Sequence, residues 1–167
     1  MLPPINFKKW IDEHRDQLKP PVCNQVVYKD ADFIIMVVGG PNSRKDYHLN
    51  ETEEFFYQLE GDMLLKIKDK EGFKDILIKQ GEIFLLPAST PHSPQRFANT
   101  VGLVIERRRP EASLDAFQWY CDQCTALLYE ERVKLTNIVQ QLPPIFQRYQ
   151  SSGKHTCQSC GFVNAQN

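Results

Sequence analysis

The sequence predicts an all-β fold: a jelly-roll barrel preceded by one helix and followed by a small helical extension. Three observations lead there. Between Val26 and Arg107 the chain falls into short runs rich in Val, Ile, Phe and Leu; turn residues recur between the runs; and the strand signal stops past Arg109-Pro110. Many short strands at near-regular intervals, joined by hairpin turns, build an antiparallel sandwich or barrel.

In chain order, Asn6 is placed to cap a helix whose apolar residues Phe7, Trp10, Ile11 and Leu18 recur at helical spacing and which ends before Pro20-Pro21. About seven strands follow, near 26–29, 32–38, 54–60, 63–69, 73–79, 82–86 and 101–107, with 93–97 also extended. The punctuation is Lys29-Asp30, Gly39-Gly40-Pro41-Asn42, Glu60-Gly61-Asp62 and Lys70-Glu71-Gly72. Phe55, Phe56 and Tyr57 read as barrel core. Beyond Pro110, the stretch Glu130 to Leu142 carries Val133, Ile138, Val139 and Leu142 at helical spacing until Pro143-Pro144 interrupts it, and Ile145 to Tyr149 forms a second short helical stretch. The expected organisation is therefore a helix plus barrel over 1–110 and an extension over 111–167, without repeats or low-complexity tracts.

At 167 residues the chain can bury a sizeable core. Its formal net charge of −1 removes the main argument for nucleic acid or an anionic membrane as partner, leaving small molecules and proteins. No apolar run reaches the length of a membrane span, and Met-Leu-Pro-Pro-Ile-Asn lacks the regions of a signal peptide, so the expected location is cytoplasmic. Four of the five cysteines form two Cys-x-x-Cys pairs, Cys121/Cys124 and Cys157/Cys160, with Cys23 apart. In a reducing compartment such knuckles favour a structural metal over disulfides, and four thiolates suit Zn(II) or a single iron.

A different ligand set lies in the barrel segment. His48 and Glu54 flank one turn into a strand, and His92 ends Gly81-x5-Pro87-x4-His92, so all three can project into one barrel mouth. Two imidazoles and a carboxylate hold a divalent metal on one face and leave other positions open, the ligand set of non-heme Fe(II) oxygenases. Glu51 and Glu53 are neighbouring carboxylates, but Glu53 would face the opposite side of a strand from Glu54. Taken alone, each histidine reads first as a surface or hydrogen-bonded core residue, and it is their joint placement that favours a ligand role.

The segments Gly40 to Gly61 and Gly81 to Arg96 resemble the two motifs of the cupin superfamily, with Asn50 in place of one histidine. The fuller stretches are similar to the 3-hydroxyanthranilate 3,4-dioxygenase family: Val37-Val-Gly-Gly-Pro-Asn-Ser-Arg44-Lys-Asp-Tyr-His48, Glu53-Glu54-Phe-Phe-Tyr-Gln, Leu85-Leu-Pro-Ala-Ser-Thr-Pro-His92-Ser-Pro-Gln-Arg96 and Val104-Ile-Glu106-Arg. The similarity runs from Leu18 to the final cysteine pair.

That resemblance implies a cupin barrel and Fe(II) held by His48, Glu54 and His92. It implies O2 as co-substrate and conversion of 3-hydroxyanthranilate to 2-amino-3-carboxymuconate semialdehyde, which closes to quinolinate on the way to NAD. It also implies iron at the four cysteines and a possible homodimer. On this reading Arg96 takes the substrate carboxylate, Arg44 lies near the O2 position, Asp46, between Arg44 and His48 on the same face, is a supporting anchor behind the site, Glu106 meets the substrate's amino or hydroxyl hydrogen, and Glu54 borders the substrate as well as the metal. Asn24 and Val22 are further expected lining residues, and His155 a bystander of the second knuckle. The ordinary alternatives are solvated arginines at strand ends and a surface ion pair between Glu106 and the Arg107–Arg109 run. Two other functions fit the same residues: a cupin dioxygenase for another ortho-substituted phenol or a thiol, and a non-catalytic small-molecule-binding cupin whose four-cysteine module docks a protein.

Overall fold

The computed structural model describes residues 3–20, 23–28 and 31–165. Helix α1 (Phe7–His14) starts where the Asn6 side chain accepts from the Lys9 amide, and a 3₁₀ turn (Arg15–Leu18) finishes it. Eleven strands follow: β1 (Asn24–Val26), β2 (Phe33–Gly39), β3 (Tyr47–Leu49), β4 (Glu54–Glu60), β5 (Met63–Asp69), β6 (Gly72–Ile78), β7 (Ile83–Leu86), β8 (His92–Arg96), β9 (Val101–Arg107), β10 (Asp115–Tyr120) and β11 (Leu127–Val133). Helix α2 (Ile138–Ser151) closes the list.

All pairings are antiparallel. One sheet runs β1-β2-β9-β4-β7 and the other β11-β10-β3-β8-β5-β6. Alternation decides what each strand contributes inward. On β4, Glu54, Phe56 and Gln58 are buried while Phe55 and Tyr57 are only partly so. Of the three aromatics expected in the core, only Phe56 is therefore inside. Met36, Phe56, Met63, Leu65, Ile67, Ile78, Leu86 and Val104 fill the space between the sheets. Helix α1 covers one outer corner, where Ile11 and Leu18 meet Val37 and Val101, and Arg15 grips Glu60 with two contacts of 2.8 and 2.9 Å.

Three expectations need correction. Strand β3 was not foreseen, although it carries His48. The extension is not wholly helical: β10 pairs with β3 and β11 with β10, so the second sheet continues across residue 110. The segment 115–120 lacks visible alternation because both its faces are covered, five of its six residues being buried. Pro143 and Pro144 lie inside one continuous helix, not between two. Proline's fixed φ is helical, and the bonds lost to it are offset by docking of the Ile145 and Tyr149 face onto Phe117 and Trp119.

Candidate active site

The barrel mouth holds a cavity of about 450 Å³, in the range that takes a small organic ligand. Its walls come from both sheets and from α2. His48 lies on β3, Glu54 on β4 and His92 on β8, and each side chain is buried. One ligand atom from each lies within 4.8 Å of the others. Glu51 and Glu53 are exposed, which leaves Glu54 as the carboxylate of the cluster.

The environment prepares these groups for a cation. Glu54 Oε2 is buried and, among the described residues, has no hydrogen-bond partner of good geometry; it sits 3.1 Å from His92 Nε2 as an ion-pair contact. The Thr90 carbonyl faces His92 Nδ1 at 3.0 Å, which directs Nε2 into the site. Burial works against the Glu54 charge, but His92, His48 and Arg109 outweigh it and lower its pKa. Burial also lowers the pKa of His48, favouring the neutral ring that a metal needs. A buried orphan carboxylate oxygen between two imidazoles fits a divalent metal of the nitrogen- and oxygen-loving kind.

The other polar groups surround this cluster. Arg96 is 4% exposed, and among the described residues its side chain makes one hydrogen bond, from Nη1 to Gln58 Oε1 at 3.2 Å. Burial pulls its pKa down to about 10, which still leaves it charged at neutral pH. Gly102 makes room for it: a Cβ at 102 would stand 2.5 Å from Arg96 Nη1 and 2.7 Å from Gln58 Oε1. Arg44 lines the cavity and is gripped by Asp46, with Nε–Oδ1 at 3.0 Å and Nη2–Oδ2 at 2.5 Å. Burial works against its charge, and Asp46 and Glu54 more than offset that. Glu106 shares the inner face of β9 with Val104 and Gly102, and burial, with Glu54 nearby, pushes its pKa up to about 7.

A family model described as 3-hydroxyanthranilic acid dioxygenase matches residues 1–150. This chain belongs to the 3-hydroxyanthranilic acid dioxygenase family. It is 57% identical over 162 residues to the 3-hydroxyanthranilate 3,4-dioxygenase of Jannaschia sp., covering 96% of this chain and 90% of the relative. It is 53% identical over 165 residues to the enzyme of that name from Xanthomonas euvesicatoria, covering 98% and 93%. A solved cupin-2 domain protein from Shewanella frigidimarina overlaps at a TM-score of 0.48 with 19% identity, over 63% of this chain and 94% of that one.

In this member of the family, His48, Glu54, His92, Arg44, Asp46, Arg96, Glu106 and Asn24 all border the same cavity, while Val22 lies outside the described residues. Cys23 borders it too, its Sγ 3.8 Å from the Pro41 carbonyl, and burial raises its pKa, which holds back thiolate formation. Several contributors were not anticipated. Trp119 and, from α2, Ile138, Leu142, Phe146 and Tyr149 form an apolar wall. Asn50 donates to Glu106 Oε2 at 3.3 Å. The alternative reading of Glu106, a surface ion pair with the following arginines, is met only in part: the pair exists but is buried, with Arg109 Nη1 2.9 Å from Oε2.

The four cysteines cluster at the far end of β10. Sγ separations are 3.6 Å for Cys121–Cys160 and 3.5 Å for Cys124–Cys157, far beyond a disulfide bond, and all four thiols are free. The two knuckles match: Thr125 and Gly161 donate their amides to the carbonyls of Cys121 and Cys157, at 3.0 and 2.9 Å. Thr125 therefore adopts the same left-handed backbone as Gly161, with φ of 64° against 75°. His155 is buried, with Nε2 3.1 Å from the Gln150 carbonyl and its ring edge-on to Tyr149, so it joins the tail to α2.

Proposed function

We propose that this chain is an Fe(II)-dependent ring-opening dioxygenase that converts 3-hydroxyanthranilate and O2 to 2-amino-3-carboxymuconate semialdehyde, the compound that closes to quinolinate for NAD synthesis. The observation that carries the choice of substrate is Arg96. Among the described residues no carboxylate lies within ion-pair distance of it, yet it is buried in the cavity that also holds His48, Glu54 and His92. A buried guanidinium without a counter-charge is costly, and a ligand carboxylate would supply that charge in a two-point contact.

Iron held by His48, Glu54 and His92 would offer neighbouring positions to the substrate's adjacent oxygen and nitrogen and to O2, with a path for ring electrons to reach O2. The protein's own groups divide the remaining work. Arg96 takes the ring carboxylate and so sets which ring edge faces the triad. Glu106, with its pKa near neutrality, accepts the substrate's amino or hydroxyl hydrogen and acts as proton acceptor during ring attack. Arg44, held charged and in place by Asp46, stabilises negative charge that develops on oxygen. The apolar wall of Trp119 and α2 keeps water from the ring.

The four-cysteine cluster is closed by its own ligands, and we assign it as a structural centre, iron by resemblance, that pins the extension to the barrel. Visible absorption and metal analysis distinguish iron from zinc there. Free thiols and the absence, among the described residues, of any helix long and apolar enough to cross a membrane accord with a cytoplasmic setting. A homodimer through the outer face of the five-stranded sheet would cover Phe33, Ile83 and Leu85, each at least half exposed, and light scattering of the purified protein tests it.

Oxygen consumption by the Fe(II)-loaded protein tests the main reading. Uptake is expected with 3-hydroxyanthranilate and little with 2-aminophenol, which lacks the carboxylate, or with anthranilate, which lacks the hydroxyl. No uptake from protein carrying both metals would overturn it.

A further inference from the structure

Asp115 is fully buried, and its carboxylate is shared between a ring of the triad and a guanidinium. His48 Nε2 lies 2.6 Å from Oδ2, and Arg109 reaches the same oxygen from Nη2 at 2.9 Å and from Nε at 3.1 Å, with Nε 3.2 Å from Oδ1. The other edge of that guanidinium, Nη1, sits 2.9 Å from Glu106 Oε2. The Arg109 side chain is 10% exposed, so these contacts are shielded from solvent. Phe117, the cross-strand neighbour of His48, stacks on its imidazole with centroids 4.9 Å apart at 13°.

A carboxylate can only accept, so the contact with Asp115 puts the ring proton of neutral His48 on Nε2 and leaves the Nδ1 lone pair for a metal. An imidazole that donates to a carboxylate is fixed in rotation and becomes a better electron donor. We infer that Asp115 and Arg109 are positioning residues of the metal centre: Asp115 holds the His48 ring in its ligating orientation, and Arg109 ties that hydrogen bond to the Glu106 carboxylate. The inference rests on the reading of His48, Glu54 and His92 as a metal site. It makes Asn50, Glu106, Arg109, Asp115 and His48 one continuous polar chain from the substrate side of the cavity to the metal.

Mn(II) is the probe, because it favours nitrogen and oxygen ligands and leaves the four-thiolate cluster aside. Free Mn(II) is counted by electron paramagnetic resonance during titration of the purified protein, with thermal unfolding to show that each variant is folded. Asp115→Asn is expected to weaken Mn(II) binding about 10–100-fold. Arg109→Gln should weaken it less, and the double variant should bind no more weakly than Asp115→Asn, because the arginine acts through the aspartate. Unchanged affinity in Asp115→Asn, or losses that add in the double variant, would overturn the inference. If Asp115→Asn does not fold, Arg109→Gln decides alone, and wild-type affinity there overturns it. His48→Ala separates the two readings. Should it bind Mn(II) as wild type does, the triad itself is wrong; should it lose Mn(II) while Asp115→Asn does not, only the positioning role fails.

Discussion

Trp119 and Tyr149 stack face to face, with ring centroids 4.4 Å apart at 17°. One ring belongs to β10 and the other to α2, and both border the cavity, so this pair seats the helix as a wall of the reaction chamber. Tyr149→Ala is expected to cost about 3 kcal/mol of stability in urea unfolding. It should also raise KM for 3-hydroxyanthranilate while leaving iron content unchanged. An unchanged KM would show that the stack serves stability alone.

Arg96→Lys should raise KM by about 10²-fold, the loss expected when a charge-assisted two-point contact becomes a single one. The discrimination against 2-aminophenol should shrink by the same factor. Steady-state oxygen uptake with both compounds measures it, and retained discrimination would remove Arg96 from carboxylate binding.

Gly102→Ala tests the same clamp without touching its charge. The added methyl would collide with Arg96 Nη1 and Gln58 Oε1. The expected result is a raised KM with normal metal content, and the reverse pattern would place the strain elsewhere.

Cys121→Ser combined with Cys124→Ser should remove one metal per chain and lower the midpoint of thermal unfolding. Turnover per iron of the triad should persist in part, because the cluster supplies no group to the cavity. Complete loss of turnover in folded protein carrying the triad iron would argue for a direct role of the second metal.

The contact between Glu131 on β11 and Arg148 on α2 gives the helix an acid-sensitive tie. The hydrogen bond from Arg148 lowers the Glu131 pKa, so the stabilisation is complete above the ordinary carboxylate pKa and fades as pH falls through the depressed folded value. Arg148 is half exposed, which limits the contribution to about 1 kcal/mol or less. Unfolding midpoints of wild type and Glu131→Gln should therefore differ at neutral pH and converge from about pH 5 downward. Parallel curves would show that the pair contributes nothing.

Much of this arrangement is legible in the order of residues. Strand positions from β4 to β9 follow from alternation and from turn residues such as Gly61, whose positive φ closes the β4–β5 hairpin. The triad is legible because His48 and Glu54 are close in sequence and His92 ends a recognisable turn. Strand β3 escapes notice because it is only three residues long and exists through its neighbours. Asp115 and Arg109 escape for a related reason. Asp115 is 67 residues from His48, and only the β3–β10 pairing brings them together. Strand β11 is obscured by Glu130, Glu131 and Arg132, whose charges are absorbed by Gln118 and Arg148 and by one another.

The pairing between β3 and β8 consists of one Cα pair, His48 opposite His92, with an isolated bridge between Asn42 and Arg96 nearby. The six-stranded sheet is thus two three-stranded flaps, β11-β10-β3 and β8-β5-β6, meeting along a short seam. The two imidazoles proposed as metal ligands and the arginine proposed to hold the substrate lie on that seam. A bound cation would act as a rivet through it, so stripping the metal should loosen the barrel where the flaps join, and filling the active site should fasten the fold.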